Sequence, residues 1–111
     1  SKGKAPEPVS FTVRVKQVAE LGFTFDVTKH ALYYNTHYLN DQNIYAVCLH
    51  VSKQGPVIQC LSGINGRRSS GTVLLNDKHL KALKNNELHL RLYRPESRKG
   101  QQFQQVILPE S

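Results

Sequence analysis

The stretch Val9-Ser10-Phe11-Thr12-Val13-Arg14-Val15-Lys16 decides the fold class. Val9, Phe11, Val13 and Val15 alternate with Ser10, Thr12, Arg14 and Lys16, and a strand sends successive side chains to opposite faces. One face is therefore apolar and the other polar and cationic. Beyond an expected break at Glu20-Leu21-Gly22, Phe23, Phe25 and Val27 repeat the alternation, which predicts a hairpin of two amphipathic strands.

Further along, Ile44–Val51 is a dense apolar run rich in β-formers, the pattern of a strand buried on both faces. Val57–Leu61 follows across the turn-forming Ser52-Lys53-Gln54-Gly55-Pro56, and Thr72–Leu75 follows the Gly/Ser-rich interval 62–71. In that interval Asn65-Gly66 supplies the positive-φ residues of a tight hairpin turn. Residues 28–43, with Tyr33, Tyr34, Tyr38 and Leu39 among Asn, Thr and His, fit no period cleanly and read as a long aromatic loop or a short strand. Asn76-Asp77 ahead of Lys78–Lys84 predicts one or two helical turns, with Lys84 suited to the negative end of the helix dipole. Leu88, Leu90 and Leu92 then alternate with His89, Arg91 and Tyr93. Pro95–Gly100 reads as a turn-type loop, and Phe103–Leu108 as the closing strand.

Seven or eight short strands and one short helix near 77–84 predict an all-β, immunoglobulin-like β-sandwich spanning residues 9–109, with the helix crossing between sheets. Residues 1–8, with two Lys, two Pro and no large apolar side chain, read as a flexible linker or tail. The chain has 111 residues, 39% hydrophobic and 21% charged, which suits one globular core and excludes a wholly disordered or collagen-like chain. No apolar run approaches the ~18 residues that cross a bilayer, so this segment is not expected to insert in a membrane. The sequence has no Trp, and Cys48 and Cys60 lie too close together for the inter-sheet bridge of an immunoglobulin domain. Across a hairpin they come onto facing strands with matching parity, which suits a cross-strand disulfide or a pair of small buried thiols.

Fifteen Lys and Arg against eight Asp and Glu give a formal charge of +7 and point to a polyanionic partner. Arg67 and Arg68, beside the Asn65-Gly66 turn, are the most pointed candidates for phosphate contact, with Ser69 and Ser70 as neutral donors. Arg91, Arg94, Arg98 and Lys99 form a second basic cluster, which Arg14 and Lys16 would join if the first and penultimate strands shared a sheet. Tyr33, Tyr34 and Tyr38 offer stacking faces for bases or sugars, or an amphipathic surface for a protein. Cys48, His50 and Cys60, with His30, His37 or His89, have zinc-competent chemistry but match no zinc spacing, so no metal or other cofactor is expected. No phosphate loop, nucleophile elbow or His-Glu-x-x-His motif is present, and the carboxylates are widely spread. The expected function is a non-catalytic binding module whose basic loops engage nucleic acid or another polyanion. The competing expectation is a protein-interaction or assembly domain of a larger, membrane-tethered extracytoplasmic protein.

Overall fold

The computed structural model describes residues 6–39, 44, 46–62, 68–95 and 97–110, with backbone alone at 68 and 97–103. Among these residues are eight strands and one helix: β1 (Val9–Val15), β2 (Ala19–Asp26), β3 (Ala31–Tyr38), β4 (Ala46–His50), β5 (Val57–Cys60), β6 (Arg68–Leu74), α1 (Asp77–Lys84), β7 (His89–Arg94) and β8 (Ser97–Gln105). They form two four-stranded antiparallel sheets, in the orders β1-β2-β3-β6 and β5-β4-β7-β8. The inward rows of both sheets fill the space between them, including Val13, Val15, Leu21, Phe23, Phe25 and Leu32 from one, and Val47, Leu49, Leu90 and Leu92 from the other. Each large apolar side chain removed from water there contributes about 1.5–3 kcal/mol.

β1 follows its alternation, and its partner β2 begins earlier than its apolar pattern suggests. The chain reverses at Lys16-Gln17-Val18, with Lys16 in the left-handed region at φ 53° and Val18 N–H bonded to Val15 O. Glu20-Leu21-Gly22, expected as a break, therefore lies inside β2, opposite Arg14, Val13 and Thr12. The next reversal is organised by Asp26. Its Oδ1 accepts from the Thr28 amide and hydroxyl and from the Lys29 amide, and the Thr28 hydroxyl is the main influence lowering the carboxyl's pKa. The aromatic stretch beyond it is a full strand, β3, paired on both sides by β2 and β6.

β6 starts at Arg68 and takes in Ser69-Ser70-Gly71, which the Gly/Ser content assigns to a loop. β8 likewise starts at Ser97, within the segment expected to be a turn, and ends before Val106. α1 lies at the expected position and crosses between the sheets. Asn76 Oδ1 accepts from His79 N–H at 2.8 Å, a cap worth about 1 kcal/mol, while Ala82 and Leu83 are buried.

The sheets are also laced together by polar bonds on the β5–β6 side. Buried Thr36 donates its hydroxyl to Leu61 O at 2.9 Å, and Gln59 Nε2 donates to Thr72 O at 3.2 Å. Ser62 Oγ accepts from Val47 N–H at 3.0 Å and lies 2.6 Å from the Tyr38 hydroxyl. These contacts fix how the sheets sit on one another and hold the outer face of β1-β2-β3-β6 in place.

Candidate functional site

Strand alternation gives the β1-β2-β3-β6 sheet a solvent face of short polar groups. Register places Ser10, Thr24, Tyr33 and Thr72 in one row across it, and Thr12, Gly22, Asn35 and Ser70 in the next. Between these rows is a shallow depression of about 440 Å³, lined by residues 10–12, 22–24 and 33–35, none of them charged. The hydroxyls of Ser10 and Thr24 are 2.9 Å apart, and Tyr33 is 37% exposed. Arg14 and Glu20 occupy the following row and close an ion pair at 2.7 Å, so their charges are matched locally.

Two glycines of this sheet have contrasting reasons to be there. A Cβ on Gly71 would stand 2.6 Å from the Tyr34 hydroxyl oxygen and 2.9 Å from Cζ. Gly71 is thus required by the Tyr34 ring that covers it. A Cβ on Gly22 would meet nothing within 4 Å, and the residue has no positive φ. Among the described residues, nothing in the packing calls for glycine at position 22. Its absent side chain leaves bare backbone at the floor of the depression.

The same alternation separates the three candidate tyrosines. Tyr33 faces solvent, whereas Tyr34 and Tyr38 turn inward and pack on the core. Tyr38 is half-buried against Ser62; burial raises its phenol pKa, with the Ser62 hydroxyl opposing that rise. A tyrosine cluster on one surface is therefore not formed. Parity along β3 is the signal that separates them, and it adds Asn35, Thr24 and Gly22 to Tyr33.

The basic candidates are divided between the sheets. Arg68 lies on β6 opposite His37, in the row of Arg14 and Glu20, while Arg91 and Arg94 lie on β7 of the other sheet. β1 and β7 do not share a sheet, so Arg14 and Lys16 do not extend the Arg91 group. Arg91 is half-buried and donates from Nη2 to Lys53 O, and Arg94 also interacts within the chain. Arg67 and the Asn65-Gly66 turn lie outside the described residues, as do the side chains of Arg68, Arg98 and Lys99.

Arg91 neighbours a polar cluster on the outer side of β4. His50 is 4% exposed, its Nδ1 lies 2.9 Å from Gly55 O and its Nε2 lies 2.8 Å from the Tyr93 hydroxyl. The carbonyl can only accept, so Nδ1 carries the proton and Nε2 of the neutral ring accepts from Tyr93. Burial lowers the imidazole pKa; nearby Arg91 adds to this and the Gly55 bond opposes it. One register step away, Cys48 faces Cys60 and their sulfurs are joined in a cross-strand disulfide. The two sulfurs needed for the zinc combination are bonded to each other, and among the described residues no three His, Cys, Asp or Glu side chains gather as metal ligands. Set against known protein families, characterised proteins and solved structures, the chain matches none of them.

Proposed function

We propose that this domain is a non-catalytic recognition module that binds its partner on the solvent face of the β1-β2-β3-β6 sheet, in an oxidising compartment. Gly22 carries the reading. Glycine inside a strand costs about 0.5–1 kcal/mol relative to alanine and often marks a bulge, a bend, or a place where a ligand or another backbone approaches closely. Both ladders of β2 run through Gly22 without a register shift, which favours close approach. The surrounding Tyr, Ser, Thr and Asn combine a rigid amphipathic ring with adaptable hydrogen-bonding groups, a composition suited to recognition. The Cys48–Cys60 disulfide supports the compartment, since such bonds persist where thiols are not kept reduced. Of the immunoglobulin-like plan, the proposal keeps the two-layer sandwich and moves recognition from the loops to a sheet face. The strand order β1-β2-β3-β6 departs from that of immunoglobulin constant domains, which place their first, second, fifth and fourth strands in one sheet.

A second reading, polyanion binding through Arg67 and Arg68, draws on the +7 formal charge and would be strongly salt-dependent. Surfaces carrying single- and double-stranded oligonucleotides, a sulfated polysaccharide and neutral polysaccharides separate the two readings. Capture should be lost in Gly22→Val, retained in the Arg67→Glu/Arg68→Glu double variant, and similar at low and high salt. Capture abolished by the charge reversal and unaffected by Gly22→Val would transfer the function to the basic residues.

A further inference from the structure

We infer that the ligand of this face is an uncharged glycan, with Tyr33 stacking on a sugar ring and the surrounding hydroxyls and amide bonding to its hydroxyl groups. The inference rests on the recognition-face reading and adds the ligand's chemical class. Four observations bear on it.

The first is charge. None of the nine residues lining the depression is charged. Of the two flanking rows, one holds the Arg14–Glu20 ion pair and the position of Arg68, and the other holds Asp26, whose carboxylate is engaged by Thr28 and the Lys29 amide. In a chain of formal charge +7, this neutral area suits a neutral ligand.

The second is hydrogen-bonding capacity. Ser10, Thr12 and Thr24 each offer a hydroxyl that both donates and accepts, and Asn35 offers an amide with both functions. Ser10 and Thr24 share one bond at 2.9 Å, which uses one hydroxyl proton and leaves the other free to turn outward. Vicinal sugar hydroxyls need such mixed partners. A phosphate, which only accepts at its ionised oxygens, would leave half of this capacity unused.

The third is shape. Tyr33 projects from β3 diagonally to Gly22, because Gly22 pairs with Asn35, two residues along the same strand face. A ring standing beside bare backbone forms a step, and a flat ligand can lie on that floor with one apolar face against the ring.

The fourth distinguishes a glycan from an extended peptide. β2 and β3 are interior strands paired on both sides, so the floor has no free ladder groups for strand addition. Recognition there must pass through side chains, and the side chains present are hydroxyls, an amide and one aromatic ring.

The test is a two-dimensional amide NMR titration of the oxidised protein with four neutral tetrasaccharides: β-1,4-glucose, β-1,4-N-acetylglucosamine, β-1,4-mannose and α-1,4-glucose. A sulfated tetrasaccharide and an uncharged extended peptide serve as further probes. At least one neutral sugar should shift the amides around Gly22, Thr24, Tyr33 and Asn35, with an affinity that changes by less than about twofold between low and high salt. Tyr33→Ala should weaken binding about tenfold, the scale of one stacking contact, while Tyr33→Phe retains it. Gly22→Val should abolish binding and keep a folded spectrum. Shifts on this face from the peptide or sulfated sugar alone would overturn the glycan assignment and leave the recognition face standing. Shifts from the neutral sugars confined to other surfaces would overturn both. No shift from any of the four neutral sugars would overturn the glycan assignment.

Discussion

Replacing glycine by alanine at positions 22 and 71 should change stability in opposite directions, although both sites are mid-strand in the same sheet. At Gly71 the new methyl would stand 2.6 Å from the Tyr34 hydroxyl oxygen, 2.9 Å from Cζ and 3.1 Å from Cε2. Ordinary contact needs about 3.5 Å or more, so the ring must move outward by close to 1 Å and give up part of its packing on the core. Overpacking of this kind costs about 1–3 kcal/mol, and the gain from removing a strand glycine offsets about 0.5–1 kcal/mol. The net result is a loss of about 1 kcal/mol. At Gly22 the methyl meets nothing within 4 Å, so only the gain of about 0.5–1 kcal/mol remains. A domain near this size moves by roughly 4–8 °C per kcal/mol, which separates the two variants by about 6–16 °C in melting temperature. Urea denaturation followed by circular dichroism supplies the free energies, and Tyr34→Leu combined with Gly71→Ala should recover most of the loss. Equal shifts of the same sign at the two positions would refute the contrast, as would a double variant that recovers nothing.

The outer side of β4 supplies two more expectations. Replacing both Cys48 and Cys60 by alanine should cost about 3 kcal/mol in chain entropy, given their sequence separation of 12, as measured by urea midpoints under non-reducing conditions; an unchanged midpoint would contradict it. His50 titrates below its ordinary value of 6.5 in the folded chain, so the unfolded chain binds the proton more readily and stability falls as pH drops below that value. Between about pH 7.5 and 5.5, His50→Gln should remove part of the wild-type slope in unfolding free energy, and identical slopes would exclude His50 as its source.

Much of the fold was legible because β1, β2 and β7 each set apolar against polar side chains. β3 was obscure for a specific reason: its inward row is Leu32, Tyr34, Thr36 and Tyr38, and its outward row is Tyr33, Asn35 and His37. Hydroxyls and rings occur on both sides, so polarity does not reveal the period. The inward hydroxyls of Thr36 and Tyr38 bond to long-range partners, Leu61 O and Ser62, which local spacing cannot show. Glycine misled in two ways. Gly22 looked like a break and Gly71 like part of a loop, yet both lie in strands, one beneath solvent and one beneath a tyrosine ring. The facing cysteines were legible by parity, although parity alone left thiols and a disulfide equally open. The basic groups were legible as two sets in sequence but not in their placement: strand order puts Arg68 on the β1-β2-β3-β6 sheet and Arg91, Arg94, Arg98 and Lys99 on the adjacent β7 and β8 of the other.

The pairing of β3 ties two otherwise separate properties to one count of residues. Tyr33 and Tyr34 are adjacent in sequence, yet one belongs to the outside of the domain and the other to its inside, and both neighbours of β3 hold it in phase. A slip by one residue would turn Leu32 and Thr36 to water and drive Asn35 and His37 into the apolar layer. Side-chain replacements on the outer rows can thus vary with little effect on the core. Inserting or deleting a single residue in β3 would re-phase the remainder of the strand and disable the core and the outer surface together.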